Sequence, residues 1–408
     1  MTSTLITGIS ELWTLDPALD DPAAPHGAAD GQVLRGAALV IEDGVIAWTG
    51  RAAEAPSADD AIDVGGRAVL PGWVDSHSHL IFDGDRAAEF EARMAGQSYA
   101  AGGIGVTTEA TRSASDDRLQ HLVRSRIAEA VAGGTTCLET KTGYGLTLEQ
   151  ELRAARLASS LVGAGQLDEA TFLGAHLVPG EFDGRDGRPG ADDYVDLVSG
   201  EMLAAVAPHV RWIDVFCEDG AFDPEQSEQV LRAGAAAGLG LRVHGHQLGR
   251  SGGVDLAVEL GAASVDHVNH LDDTDVEALA GARGTTVATA LPACDLSTRA
   301  PLAPARRLLD AGADVAIASN CNPGTSYTSA MTFCVATAVL QMHLSLAEAV
   351  RAATRGGALA LRREDVGHLA VGARADLHVL DAPAAIHLAY RPGMPLTHGV
   401  WRAGVRQI

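Results

Sequence analysis

The stretch Val74-Asp75-Ser76-His77-Ser78-His79-Leu80 decides how the chain is read. It follows Pro71-Gly72 and the apolar run Arg67-Ala68-Val69-Leu70, which reads as a buried strand leading into it. In a strand, residues i and i+2 project to the same side, so His77 and His79 share a face. Two imidazoles so placed can hold one metal ion together. Imidazole suits zinc and iron, and a catalytic centre takes about three protein ligands and keeps one position open for water. Two ordinary surface histidines would give the same spacing. What favours metal is that further histidines end later strand-like runs.

Beyond this stretch the pattern alternates. Short apolar runs centre on Val74, Leu138, Phe172, Val215, Val243, Val265, Val287 and Ala316, with helical signals between many of them. Leu119, Leu122, Val123, Ile127, Ala130 and Val131 recur at helix spacing, and Gly133-Gly134 supplies a stop. Thr147 with Gln150 reads as a capping pair, and Asp223-Pro224 as a helix start. Eight strands alternating with helices over residues 67–362 predict a (β/α)8 TIM barrel. An open doubly wound sheet is the alternative, but the Gly-rich phosphate loop it would bring is missing from the sequence.

The two ends read differently. Residues 1–66 carry short strand-like runs, with Glu42-Asp43-Gly44 as a hairpin signal between Ala37–Ile41 and Val45–Thr49. Residues 20–30 are rich in Pro, Ala, Asp and Gly and read as a loop. Residues 363–408 return to strands, including Ala375–Leu380, and are expected to join residues 1–66 in one small β-sandwich domain.

Composition narrows the function. The chain has 408 residues, is 47% hydrophobic and carries a net charge of −23. That charge argues against nucleic acid and anionic membranes as partners. No apolar run reaches the roughly 18 residues of a membrane span, and the N-terminus lacks a signal-peptide pattern. Cys137, Cys217, Cys294, Cys321 and Cys334 are scattered and odd in number, which reads as reduced thiols in a cytoplasmic protein. Lys141 is the only lysine.

In a barrel of this type, chemistry sits at the C-terminal ends of strands. Polar groups cluster at six such ends here: His77 and His79, then Glu139–Gly145, His176, His244–Gln247, Asp266-His267 and Ser319–Gly324. Any one of these histidines would pass as an ordinary polar residue. The barrel, however, would bring all six ends to one rim.

With these residues in place, the chain resembles the amidohydrolase superfamily. The segments that carry the resemblance are PGWVDSHSHLIF (71–82), Arg86, GGIGVTTEATRSAS (102–115), TKTGYGL (140–146), FLGAH (172–176), DVFCEDGAF (214–222), LGAASVDH (260–267) and NPGTS (322–326). The resemblance implies a metal-dependent hydrolase that opens an imidazolone ring bearing a propanoate arm, in histidine degradation. It implies that His77, His79 and His244, with Asn320, hold one Zn²⁺ or Fe³⁺ ion per subunit. It implies that Arg86, Tyr144, His176 and Gln247 contact the substrate. Asn322, Gly324 and Thr325 would bind the substrate's carboxylate through backbone N–H groups. A guanidinium fork and exposed N–H groups both suit such an anion. A homodimer is the expected assembly.

Two positions depart from the family pattern. Asn320 stands where a metal-ligating aspartate is usual, and Gln247 where a glutamate is common. An amide cannot accept a proton from water as a carboxylate can. His267 is therefore the expected acid/base, with Asn320 and Gln247 as the remaining catalytic candidates; His246 is a weaker candidate for facing the site. A deaminase of the same superfamily, or a non-catalytic homologue with a decayed metal site, are the alternative readings.

Overall fold

The computed structural model describes residues 2–20, 32–96, 103–182 and 190–408. Fifteen strands are present among these residues, in two sheets. Eight parallel strands form a barrel in the order β12-β11-β10-β9-β8-β7-β6-β5. They are β5 (Trp73–Asp75), β6 (Thr135–Lys141), β7 (Glu169–Ala175), β8 (Trp212–Cys217), β9 (Gly240–Gly245), β10 (Ser264–His267), β11 (Val287–Ala290) and β12 (Val315–Ile317). Each contains the apolar centre read from the sequence. Nearly all of their residues are buried, because barrel strands have side chains inside and helices outside, and so read as continuous apolar runs.

The barrel closes beyond its first and last strands. β5 and β12 share no ladder along their length. Instead, the chain just beyond them pairs: Asn320 N–H donates to His77 O and His79 N–H to Cys321 O, both at 2.9 Å. Ser78 and Cys321 form an isolated parallel bridge there. The histidine pair thus lies past the strand, on the closing seam. The run Arg67–Leu70, expected to lead into it, belongs to another sheet. It lies in β4 (Asp60–Pro71), which continues past residue 66, and Gly72 separates it from the short β5. An apolar run records burial; it does not say which sheet does the burying.

That second sheet has seven strands in the order β15-β14-β13-β4-β1-β2-β3. It draws β1 (Ser3–Trp13), β2 (Val33–Glu42), β3 (Val45–Arg51) and β4 from one end of the chain. From the other end it draws β13 (Leu377–Leu380), β14 (Thr397–Arg402) and β15 (Val405–Arg406). Asp43 and Gly44 both have positive φ in the turn joining β2 to β3, the geometry that an Asp-Gly hairpin requires. The sheet wraps back on itself, since Ile46 exchanges backbone hydrogen bonds of 2.8 Å with Gly372 and Ala373. Ile6, Leu12, Leu39, Val69, Leu377 and Trp401 fill its interior. The loop expected over residues 20–30 lies, past Asp20, outside the described residues.

Four helices matter for the site: α1 (Ala87–Met94), α2 (Ile104–Ser113), α3 (Asp116–Ala132) and α4 (Leu148–Gly163). α3 covers the predicted periodic stretch and ends at Gly133, while the Thr147 side chain caps α4 by accepting the N–H of Gln150. The helix over Pro224–Ala236 opens with a full capping box between Asp223 and Gln226. No helix among the described residues is long and apolar enough to cross a membrane.

The terminal sheet is tied to the barrel through Asp168. This buried carboxylate pairs with Arg374 and, at 2.8 Å, with Arg402, and accepts the N–H of Leu138 on β6. Arg374 also donates to Thr136 O. Asp168→Asn keeps the shape and removes the charge that Arg374, Arg402 and, at 3.8 Å, Arg363 share. A loss of about 1.5–3 kcal/mol is expected, the range of a hydrogen bond to a charged group. It is read as a lower urea midpoint with unchanged metal content.

Candidate active site

The C-terminal ends of the barrel strands carry the polar residues into one cleft. His79, Arg86, Tyr144, His176, His244 and Gln247 line it, and so do His267, Asn320, Asn322 and Thr325. His77 lies fully buried beside them. His246 does not line the cleft; its ring sits 3.7 Å from Asp275. Several residues here adopt left-handed backbone that side chains normally avoid: His246, His267, Val268 and Asn320 all have positive φ. For β-branched Val268 this is costly, and it persists because the strand ends are held on both sides.

Three imidazoles converge. His79 Nε2 lies 3.3 Å from His77 Nε2 and 3.5 Å from His244 Nε2. Ligands about 2.0–2.1 Å from a tetrahedral ion stand about 3.3–3.4 Å apart, so this spacing fits a metal ion. Ring nitrogens of His77, His244 and His267 also lie within 4.8 Å of one another. Asn320 Oδ1 is buried and has no hydrogen-bond partner among the described residues, as suits an oxygen facing a cation. Burial favours the neutral form of His77, His79, His176 and His267. It drives His77 down to about 3 and His176 to about 4, and holds His79 and His267 well below the ordinary histidine value.

The layer behind these rings is charged; sequence reading placed Glu139, Lys141 and Asp266 among the polar groups of the rim without this role, and singled out neither Asp214 nor Arg242. His77 Nδ1 meets Asp266 Oδ2 at 2.7 Å, and His244 Nδ1 meets Asp214 Oδ1 at 3.1 Å. A carboxylate accepts the Nδ1–H, which fixes the tautomer and leaves Nε2 with its lone pair turned inward. Each carboxylate has a buried cation behind it. Arg242 Nη2 lies 3.2 Å from Asp266, and Lys141 Nζ lies 2.8 Å from Asp214 and 3.1 Å from Glu139. Burial alone would push both aspartates up. The cation and histidine beside each outweigh it and hold both well below the usual carboxylate range. The available signal was a charged residue inside an apolar strand run, as in Trp212-Ile213-Asp214-Val215 and Val265-Asp266.

The residues expected to contact substrate are arranged differently from the expectation in two respects. Arg86 Nε and Nη2 are already paired with the two oxygens of Glu89, each at 2.7 Å, and Nη1 packs against Gly324. A Cβ at Gly324 would lie 2.2 Å from Nη1, so glycine is required for the guanidinium to sit there. The N–H groups of Gly324 and Thr325 are not offered to an anion. Both donate to Asn322 Oδ1 at 2.8 Å. A short amide side chain competes well for nearby backbone donors, and here it organises the loop instead of leaving it open. Gln247 Nε2 approaches Cys294 Sγ at 3.9 Å. Glu218, which accepts the N–H groups of Gln247 and Leu248, is pushed up to about 7 by burial.

The amidohydrolase family profile matches residues 68–405. A protein of Micrococcus luteus named imidazolonepropionase is 68% identical over 420 residues, covering 100% of both chains. One of Paenarthrobacter aurescens with the same name is 63% identical, covering 100% of this chain and 98% of its own. Among solved structures, a mutant atrazine chlorohydrolase of Arthrobacter aurescens complexed with zinc and atraton superposes with a TM-score of 0.72. The identity is 20%, over 99% of this chain and 95% of that one. A zinc-bound adenosine deaminase of Xanthomonas campestris gives 0.71 at 19% identity, over 99% and 92%. These two likenesses speak for the fold; the sequence relatives speak for the branch. The chain belongs to the amidohydrolase family, in its imidazolonepropionase branch.

Proposed function

We propose that the chain hydrolyses 4-imidazolone-5-propanoate to N-formimidoyl-L-glutamate, the ring-opening step of histidine degradation, in the cytoplasm. The observation that carries this reading is three imidazoles at ligand spacing, two of them lining a cleft that one guanidinium also lines. His77, His79 and His244 would hold a Zn²⁺ or Fe³⁺ ion, with Asn320 Oδ1 as a neutral oxygen beside it. When bound, such an ion supplies Lewis acidity and lowers the pKa of water.

The chain's own residues do the rest. Arg86, fixed by Glu89, presents Nη1 to the propanoate arm. His176 donates Nδ1–H to the carbonyl of Gly143, which can only accept, so its Nε2 faces the cleft as an acceptor for a ring N–H. Tyr144 and Phe216 line the same cleft and would flank the ring. Water adds to the ring carbonyl, the C–N bond breaks and the leaving nitrogen takes a proton. Asn320 and Gln247 cannot carry that proton. His267, neutral and beside His244, takes it from water and returns it to nitrogen.

Turnover of the imidazolone with metal content measured on the same sample tests the reading; metal-loaded protein without turnover would sink it. His244→Ala is expected to lose most bound metal. Asp214→Asn should weaken metal affinity about 10–100-fold, as removing a carboxylate behind a ligating histidine does. Titrating metal into stripped protein measures both. Arg86→Met should raise KM about 10–100-fold with a smaller change in kcat, matching one lost charged hydrogen bond. A fall in kcat at constant KM would remove Arg86 from the substrate's carboxylate. His267→Ala should lower kcat at least about 10²-fold while metal stays bound. Full activity in that variant would mean another group moves the proton.

A further inference from the structure

Glu151 sits on the first turn of α4, where acidic residues ordinarily face water and the helix dipole. This one is fully buried and turned back under the loop that follows β6. Its Oε1 accepts N–H groups from Gly143 (3.2 Å), Gly145 (2.8 Å) and Leu146 (2.8 Å), and Oε2 lies 3.1 Å from Gly143 N. Converging backbone N–H groups of this kind form a concavity for an anion. Here the anion is the chain's own carboxylate.

The loop so held carries Tyr144 and reaches His176, which follows β7, through the carbonyl of Gly143. Tyr144 lies between the bonded residues, and its ring stands 5.4 Å from that of His176. Gly143, bonded through its N–H to Glu151, accepts His176 Nδ1 at 2.8 Å through its carbonyl. Gly143 and Leu146 both have positive φ, and a leucine keeps that conformation only when its surroundings over-determine it. From the outer side, Arg112 on α2 donates Nε to Gly145 O at 2.7 Å. The loop is thus gripped from within and without.

We propose that Glu151 is a positioning residue, which acts through the loop Thr142–Leu146 to set Tyr144 and His176 against the substrate, with Arg112 as its outer partner. This rests on the reading of Tyr144 and His176 as substrate contacts. Glu151→Gln keeps the volume but turns an N–H₂ group toward backbone donors. In metal-loaded enzyme acting on 4-imidazolone-5-propanoate, KM should rise about tenfold or more, with metal content unchanged. In a Tyr144→Phe background the same change should cost less, because coupled residues are not additive. A merely structural glutamate would lower Tm and leave KM within about twofold, with multiplicative losses in the double variant, and that result overturns the proposal. If Tyr144→Phe alone leaves KM unchanged, the substrate-contact reading of Tyr144 fails and the proposal falls with it. If Glu151→Gln does not fold, Arg112→Met decides: a raised KM supports the proposal and an unchanged KM overturns it.

Discussion

Everything in the site depends on how the barrel closes. β5 is three residues long and never ladders with β12, so the seam is carried by chain beyond the strands. There the N–H of Asn320 meets the carbonyl of His77, and the N–H of His79 meets the carbonyl of Cys321. The backbone bonds that shut the barrel are therefore the bonds that place the first histidine pair against the last strand's asparagine. Fold closure and site assembly are one event in this molecule. The positive φ at Asn320 and His267 is the local cost of that arrangement, borne by the buried hydrogen bonds on either side.

A second constraint is electrostatic. The groups that face the cleft are mostly neutral: imidazoles, amides, a phenol and a hydroxyl. Charge is kept one layer back, as Asp214 against Lys141 and Asp266 against Arg242. Burying four such groups is tolerable only because each is paired and hydrogen-bonded. The reward is orientation. Each carboxylate holds one imidazole by Nδ1, so the inward nitrogens keep their lone pairs. Asn320 fits this pattern, being an uncharged oxygen in a site whose negative charge lies behind the rings.

Much of this was legible in the sequence, and the reasons are physical. Parallel strands buried on both faces leave apolar runs, so all eight barrel strands declared themselves. Histidines at their ends stood out because strand ends are where a barrel exposes side chains. The sequence was misleading where two sheets compete for one apolar run, as at Arg67–Leu70, since hydrophobicity has no address. The resemblance assigned the N–H groups of Gly324 and Thr325 to a carboxylate; the sequence was silent on the Asn322 side chain that accepts them. It was silent too on Glu151, whose position on a first turn looks like ordinary capping until the fold turns it inward.

Lys141 has one more consequence. It is the only lysine of 408 residues and is sealed in the barrel interior between Glu139 and Asp214. The native surface takes its positive charge from arginine, which amine-selective reagents do not modify. Apart from the terminal amine, acylating dyes and coupling resins find nothing to react with while the barrel is intact. Once the strands part, a single ε-amine is released. The chain thus carries one covalently addressable reporter of its own opening.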